Sequence, residues 1–134
     1  MKHFSITIFT LCTALFIGCS DQESNNDALS TQGPLLRTKI ELAKCLSQIG
    51  WVMYSSYTCS ACIAQKKLFG EEAFAHIKET ECNPHAPNTK VELCIEKNIR
   101  ITPTWILEKD GQEVMRITEY QLLQDLVVHS DCEF

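Results

Sequence analysis

The sequence reads as an α/β domain, a mixed central β-sheet with helices on both faces, and three observations lead there. An apolar, β-prone run (Trp51, Val52, Met53, Tyr54) enters a small polar turn and then a Cys59-x-x-Cys62 pair that opens a helix-forming segment. Two further short β-prone runs, Thr104 to Leu107 and Val114 to Ile117, are joined through Lys109-Asp110-Gly111-Gln112, with Asp-Gly as the hairpin turn. Segments of helical periodicity precede, separate and follow these strands, an order that layers helices on a sheet.

The N-terminus reads as a targeting segment. Met1-Lys2-His3 supplies a small basic start, and Phe4 to Ile17 is apolar apart from Ser and Thr. That run is short for a transmembrane helix and suits the core of a signal peptide. Gly18-Cys19 at its end resembles a bacterial lipobox, which implies Cys19 as the lipidated first residue of the mature chain; the alternatives are an ordinary secretory signal or an uncleaved anchor, with Cys19 incidental. Ser20 after it, in place of Asp, resembles lipoproteins sorted to the outer membrane. The location expected is therefore the bacterial cell envelope, periplasm-facing and lipid-anchored.

Cleavage there removes Lys2 and no acid, leaving 11 basic and 17 acidic residues and a formal charge of −6. Such a surface argues against a nucleic-acid partner. Eight cysteines in 134 residues point to an oxidising compartment. Setting aside Cys12 and Cys19 leaves Cys45, Cys59, Cys62, Cys82, Cys94 and Cys132, an even number suited to pairing. The layout expected is a signal peptide over 1–18, lipidated Cys19 and a flexible tether over 19–34, and one domain over 35–134. Ser20 to Gly33 is polar and nearly devoid of core formers, hence the tether.

Within the domain, Leu35, Leu42, Leu46 and Ile49 follow helical spacing, and Gly50 ends that helix. Trp51 to Ser55 is a strand. Ser60 to about Lys78 reads as one long helix with Ile63, Leu68, Phe69, Ala73, Phe74 and Ile77 inward and a kink at Gly70. Ile77 to Cys82 fits either the end of that helix or a short strand. Asn83-Pro-His-Ala-Pro-Asn88 is a loop, and Lys90 to Lys97 a short helix. After the hairpin, Glu119 to Val128 closes the domain as a helix with Leu122, Leu123, Leu126 and Val127 inward. This order around a C-x-x-C is the thioredoxin arrangement.

The cysteine pair carries the chemistry. In the first turn of a helix, the Cys59 sulfur lies near unpaired N–H groups and the positive end of the helix dipole, which favour thiolate over thiol. Cys59 is then the nucleophile, and Cys62, one turn on and more buried, resolves the mixed disulfide. A bare C-x-x-C also fits half a zinc site; the strand-turn-helix context favours redox. Ile101-Thr102-Pro103-Thr104-Trp105 opens a strand with a proline, which cannot donate to the ladder. Pro103 is either a simple turn proline or one side of a cis Thr102–Pro103 bond facing the cysteines, where the Thr102 backbone binds an extended substrate strand.

Taken together, Cys59-x-x-Cys62-x-x-Gln65-Lys66-x-x-Phe69-Gly70-x-Glu72-Ala73, Glu81-Cys82-Asn83-Pro84, Leu93-Cys94 and Ile99-x-x-x-Pro103-Thr104-Trp105 resemble the thioredoxin-like domain fused to bacterial and plant vitamin K epoxide reductase homologues. The resemblance covers roughly Lys39 to Val128. It implies a thioredoxin fold, a redox-active Cys59/Cys62 pair, a cis Pro103 and a structural Cys82–Cys94 disulfide. It also implies exchange of disulfides between exported substrate proteins and a quinone-linked membrane enzyme, here by a free-standing relative held at a membrane by lipid. Family members often carry Cys-Pro-His-Cys, like the strong oxidant DsbA, whereas this chain has Cys-Ser-Ala-Cys. The missing His removes one donor to the Cys59 thiolate, so a weaker oxidant than DsbA is expected. Met53 stands where thioredoxin has a buried acid, and the Cys62-to-Pro103 separation leaves no room for DsbA's helical insertion.

The expected activity is thus a thiol–disulfide oxidoreductase, oxidase direction favoured. The alternatives are a reductase or isomerase, or a non-enzymatic binding or assembly module. Only cysteine sulfurs are needed, so no cofactor is implied, and no metal. A Cys82–Cys94 disulfide would close the Pro-rich loop; a regulatory redox pair or a four-cysteine zinc site with Cys59 and Cys62 are the competing uses. Cys45 falls on the Leu42/Leu46/Ile49 side of its helix as a small buried hydrophobe, unless Cys132 in the tail folds back to pair with it. His76, His85 and His129 are scattered surface or loop residues, Trp51 and Trp105 packing residues. Glu71, Glu72, Glu79 and Glu81 read as a solvated helix face.

Overall fold

The computed structural model describes residues 27–133, with side chains from Leu35 onward. The signal peptide expected over 1–18, Cys19 and the first part of the tether lie outside the described residues. The elements in order are α1 (Asp27–Ile49), β1 (Trp51–Ser55), α2 (Ser60–Phe69), α3 (Glu71–Phe74), β2 (Lys78–Glu81), α4 (Val91–Glu96), β3 (Thr104–Lys109), β4 (Gln112–Thr118) and α5 (Leu123–Ser130).

The strands form one mixed sheet in the order β2-β1-β3-β4. β1 pairs in parallel with β2 and antiparallel with β3, which pairs antiparallel with β4. The alternation of side chains along β1 divides the core. Trp51 and Met53 join Trp105 and Leu107 on one face, packed under Leu42 and Leu46 of α1, Phe69 of α2, Ala73 of α3 and Leu126 of α5. Tyr54 and Ile106 point to the other face, against Cys94 of α4. Helices therefore cover both faces, and the topology is the thioredoxin fold.

The central strands are the apolar ones, while the edges β2 (Lys-Glu-Thr-Glu) and β4 (Gln-Glu-Val-Met-Arg-Ile-Thr) are charged, which discourages edge-to-edge association. The β3–β4 turn is the Asp-Gly pair, with Asp110 and Gly111 at φ 51° and 75°, both left-handed as a two-residue hairpin requires. Gly50 joins α1 to β1 at φ 108°, and its carbonyl accepts from the Glu108 N–H at 3.0 Å.

Several boundaries and faces differ from expectation. α1 begins at Asp27, ahead of Leu35 and inside the stretch read as tether. The long helix expected to Lys78 stops at Phe69, because Gly70 leaves helical geometry (φ 85°, ψ 157°). The one-turn α3 and a strand, β2, follow. Ser47 of α1 secures that switch: its hydroxyl donates to the His76 carbonyl (2.7 Å) and accepts from the Lys78 N–H (3.0 Å).

Glu79 and Glu81 consequently lie on a strand and not on a helix face. Glu79 pairs with Lys66 at 2.5 Å and accepts from the buried Ser55 hydroxyl. Ile63 is exposed, since Cys62, Gln65 and Phe69 occupy the buried stripe of α2. Leu35 and Ile49 are exposed at either end of the described α1 stripe. Leu122 is also exposed: α5 starts only at Leu123, with the Leu122 N–H capped by the Asp125 carboxylate at 3.2 Å.

Candidate redox site

The C-terminal end of β1 and the start of β3 lie side by side, because Tyr54 pairs with Thr104 in the antiparallel register. Chain leaving β1 through Ser56–Thr58 therefore meets chain entering β3 through Ile101–Pro103. Cys59 is the N-cap of α2, in extended conformation, and its sulfur accepts the Cys62 N–H at 3.2 Å. On the other side the Cys59 thiol donates to the Thr102 carbonyl at 3.2 Å, and the Thr102–Pro103 peptide is cis. Cys59 is partly exposed and Cys62 fully buried, both unpaired.

The two sulfurs have opposite electrostatic settings. Burial by itself raises the Cys59 thiol, but hydrogen bonds from the Cys62 thiol, the Thr102 side chain and the Cys62 and Ala61 N–H groups outweigh it. The net result lies below the ordinary value of 9.0. Cys62 is pushed up to about 11, first by burial and second by its hydrogen bond with Cys59. One thiol is thus poised to ionise at an accessible position, and its neighbour holds its proton in the interior. A pair so arranged can exchange disulfides: the outer sulfur meets the partner and the inner one displaces it.

Cys82 is joined to Cys94 across 12 residues, and Cys45 to Cys132 across 87. The first bridge ties the loop after β2 to α4; the second ties the tail after α5 to α1. Because Cys82 and Cys94 are bonded to each other, the four-thiolate zinc arrangement with Cys59 and Cys62 is not built. Among the described residues, no group of three or more His, Cys, Asp or Glu is placed to hold a metal. His76, His85 and His129 are all exposed and take no part in the site.

Two supporting residues were given no role by sequence reasoning. Gln65, fully buried, clamps the segment between β4 and α5 to α2: its Nε2 donates to the Gln121 carbonyl (3.0 Å) and its Oε1 accepts the Gln121 N–H (2.8 Å). A polar residue on the stripe of Cys62 and Phe69 was the signal that could have found it. Asn83 reaches the turn before Cys59, with its Nδ2 3.1 Å from Thr58 Oγ1. No local pattern announces that contact.

No family model matches this chain. Over 71 residues, 51% of the chain, it is 41% identical to Thiol-disulfide oxidoreductase LTO1 of Arabidopsis thaliana, and the aligned stretch spans only 19% of that protein. Among solved structures it is similar to thioredoxin NaTrxh from Nicotiana alata, at TM-score 0.47 and 14% identity over 78% of this chain and 87% of that one. It is also similar to a Malassezia sympodialis thioredoxin, at TM-score 0.48 and 15% identity over 65% and 83%.

Proposed function

We propose that this chain is a thiol–disulfide oxidoreductase of the bacterial cell envelope, with Cys59 as exchanging sulfur and Cys62 as resolving sulfur, working as an oxidase of exported proteins. The observation that carries the reading is the position of the Cys59 sulfur, 3.2 Å from the Cys62 N–H donor atom and 3.2 Å from the Thr102 carbonyl, with Cys62 buried behind it. The 41% identity to a plant thiol–disulfide oxidoreductase supports the same chemistry.

In the oxidase direction a client thiolate attacks Cys59 of the Cys59–Cys62 disulfide. The S–S bond breaks, Cys62 leaves as thiolate and takes a proton, and client and Cys59 are joined. A second client thiolate then attacks the client sulfur of that bond, forming the client disulfide and releasing the Cys59 thiolate. Two electrons have passed from client to pair. The hydrogen bonds at the α2 N-terminus stabilise that departing thiolate, and stabilising the reduced form is what makes a disulfide oxidising. Reoxidation is assigned to a quinone-linked membrane partner, as for the thioredoxin-like domains fused to vitamin K epoxide reductase homologues. Lipid at Cys19, with outer-membrane sorting, is the proposed anchor. Thr102 and Pro103 are the proposed docking edge for an extended client strand.

The Ser60-Ala61 dipeptide supplies no imidazole to the thiolate, and that favours a reductase or isomerase as the second reading. Equilibration of the Cys59/Cys62 pair with glutathione decides between them. An oxidase requires a potential above the glutaredoxin range of about −200 to −230 mV, toward DsbA's value near −120 mV. A value near thioredoxin's, about −270 mV, overturns the oxidase direction. No reversible transition, or a Cys59→Ser variant that retains insulin reduction and client oxidation, overturns exchange altogether and leaves a binding or assembly module.

A further inference from the structure

We propose that Asn83 is a positioning residue for the Cys59/Cys62 pair, acting through the Ser56–Thr58 turn; the inference rests on the exchange reading above. Asn83 follows Cys82, whose N–H donates to the Ser55 carbonyl at the end of β1 (2.8 Å) and whose sulfur is bonded to Cys94. Its own N–H donates to the Glu81 carboxylate at 2.8 Å. The backbone of Asn83 is therefore fixed beside the exit of β1 before its side chain is considered.

The side chain is oriented as well. Its Oδ1 accepts the His85 N–H at 2.9 Å, and since that partner can only donate, the amide carbonyl must face it. The NH₂ group then faces the turn, 3.1 Å from Thr58 Oγ1 and 3.5 Å from Ser56 Oγ. The two hydroxyl oxygens lie 3.0 Å apart, and the turn closes through the Cys59 N–H to the Ser56 carbonyl at 3.0 Å. Among the described residues, Asn83 supplies the side-chain hydrogen bonds that reach these hydroxyls from outside the turn.

The turn matters to the pair. It sets where Cys59 enters α2, hence how its sulfur meets the Cys62 N–H at 3.2 Å. An untethered turn leaves the reduced pair less stabilised, and the disulfide correspondingly less oxidising. Asn83 thus lets the Cys82–Cys94 loop hold the geometry of a redox pair that it does not itself touch.

The test is the glutathione equilibrium constant of Asn83→Ala, read beside its urea midpoint. The loss of one hydrogen bond, about 1 kcal/mol, corresponds to a shift of about fivefold toward the disulfide form. A Ser56→Ala/Thr58→Val variant, which removes the acceptors, is expected to show the same shift, and adding Asn83→Ala to it to produce no further one. A purely structural Asn83 would lower the urea midpoint and leave the equilibrium constant within about twofold of wild type, which overturns the proposal. Additive shifts in the combined variant overturn it too. Should Asn83→Ala fail to fold, the turn variant alone decides by the same criterion. A wild-type protein without a reversible transition overturns the exchange reading itself, a result distinct from a normal couple insensitive to Asn83.

Discussion

Alkylating the reduced pair at pH 7 with substoichiometric iodoacetamide should modify Cys59 and spare Cys62. Cys59 titrates below 9.0, so at least about 1% of it is thiolate at pH 7, whereas Cys62 near 11 is about 0.01% thiolate. Ionisation alone therefore favours Cys59 by at least about a hundredfold. The weaker intrinsic nucleophilicity of a lower-pKa thiolate returns roughly tenfold of that, leaving at least about tenfold. Access adds to the difference, because Cys62 is 0% exposed and Cys59 is not buried. The assay is peptide mapping by mass after partial modification, with the rate followed against pH to obtain the Cys59 midpoint. Comparable labelling of both cysteines in the native protein, or a Cys59 midpoint above 9.0, would refute the assignment of roles.

The same asymmetry has a stability consequence. The folded-state value of Cys62 is raised from 9.0 to about 11, so its contribution is fully present below pH 9 and is lost as pH rises through 11. Reduced wild type should lose about 3 kcal/mol across that window relative to Cys62→Ala, measured by urea unfolding; parallel curves would contradict the burial argument. The two disulfides should differ in weight. Chain entropy gives about 4.6 kcal/mol for the 87-residue separation of Cys45–Cys132 and about 2.8 for the 12 of Cys82–Cys94. Replacing the first pair by alanines should therefore cost more in chemical denaturation, and the reverse order would refute it. Gly50→Ala should destabilise by about 3 kcal/mol or more, because φ is 108° and the new Cβ would lie 2.1 Å from the Glu108 carbonyl oxygen. A thermal midpoint unchanged from wild type would show that the α1–β1 junction relaxes freely.

What the sequence determined by itself is what local chemistry encodes. A β-prone run before Cys59-x-x-Cys62 placed the pair at a strand-to-helix junction, Asp110-Gly111 specified the hairpin, and Gly70 marked a break. Each is a short-range preference of backbone or dipole, carried by residues within a few positions of one another. Only the tertiary structure decided the rest. β2 has no apolar alternation to betray it; it is a strand because Val52–Ser55 offers a parallel partner and Ser47 anchors its start. Ile63, Leu122 and the ends of the α1 stripe point outward because nothing packs over them, which periodicity alone cannot report. The pairing of Cys45 with Cys132, the Gln65–Gln121 clamp and the reach of Asn83 to Thr58 join residues 87, 56 and 25 positions apart. Such contacts depend on where the folded elements put two side chains, and a linear sequence carries no spacing rule for that.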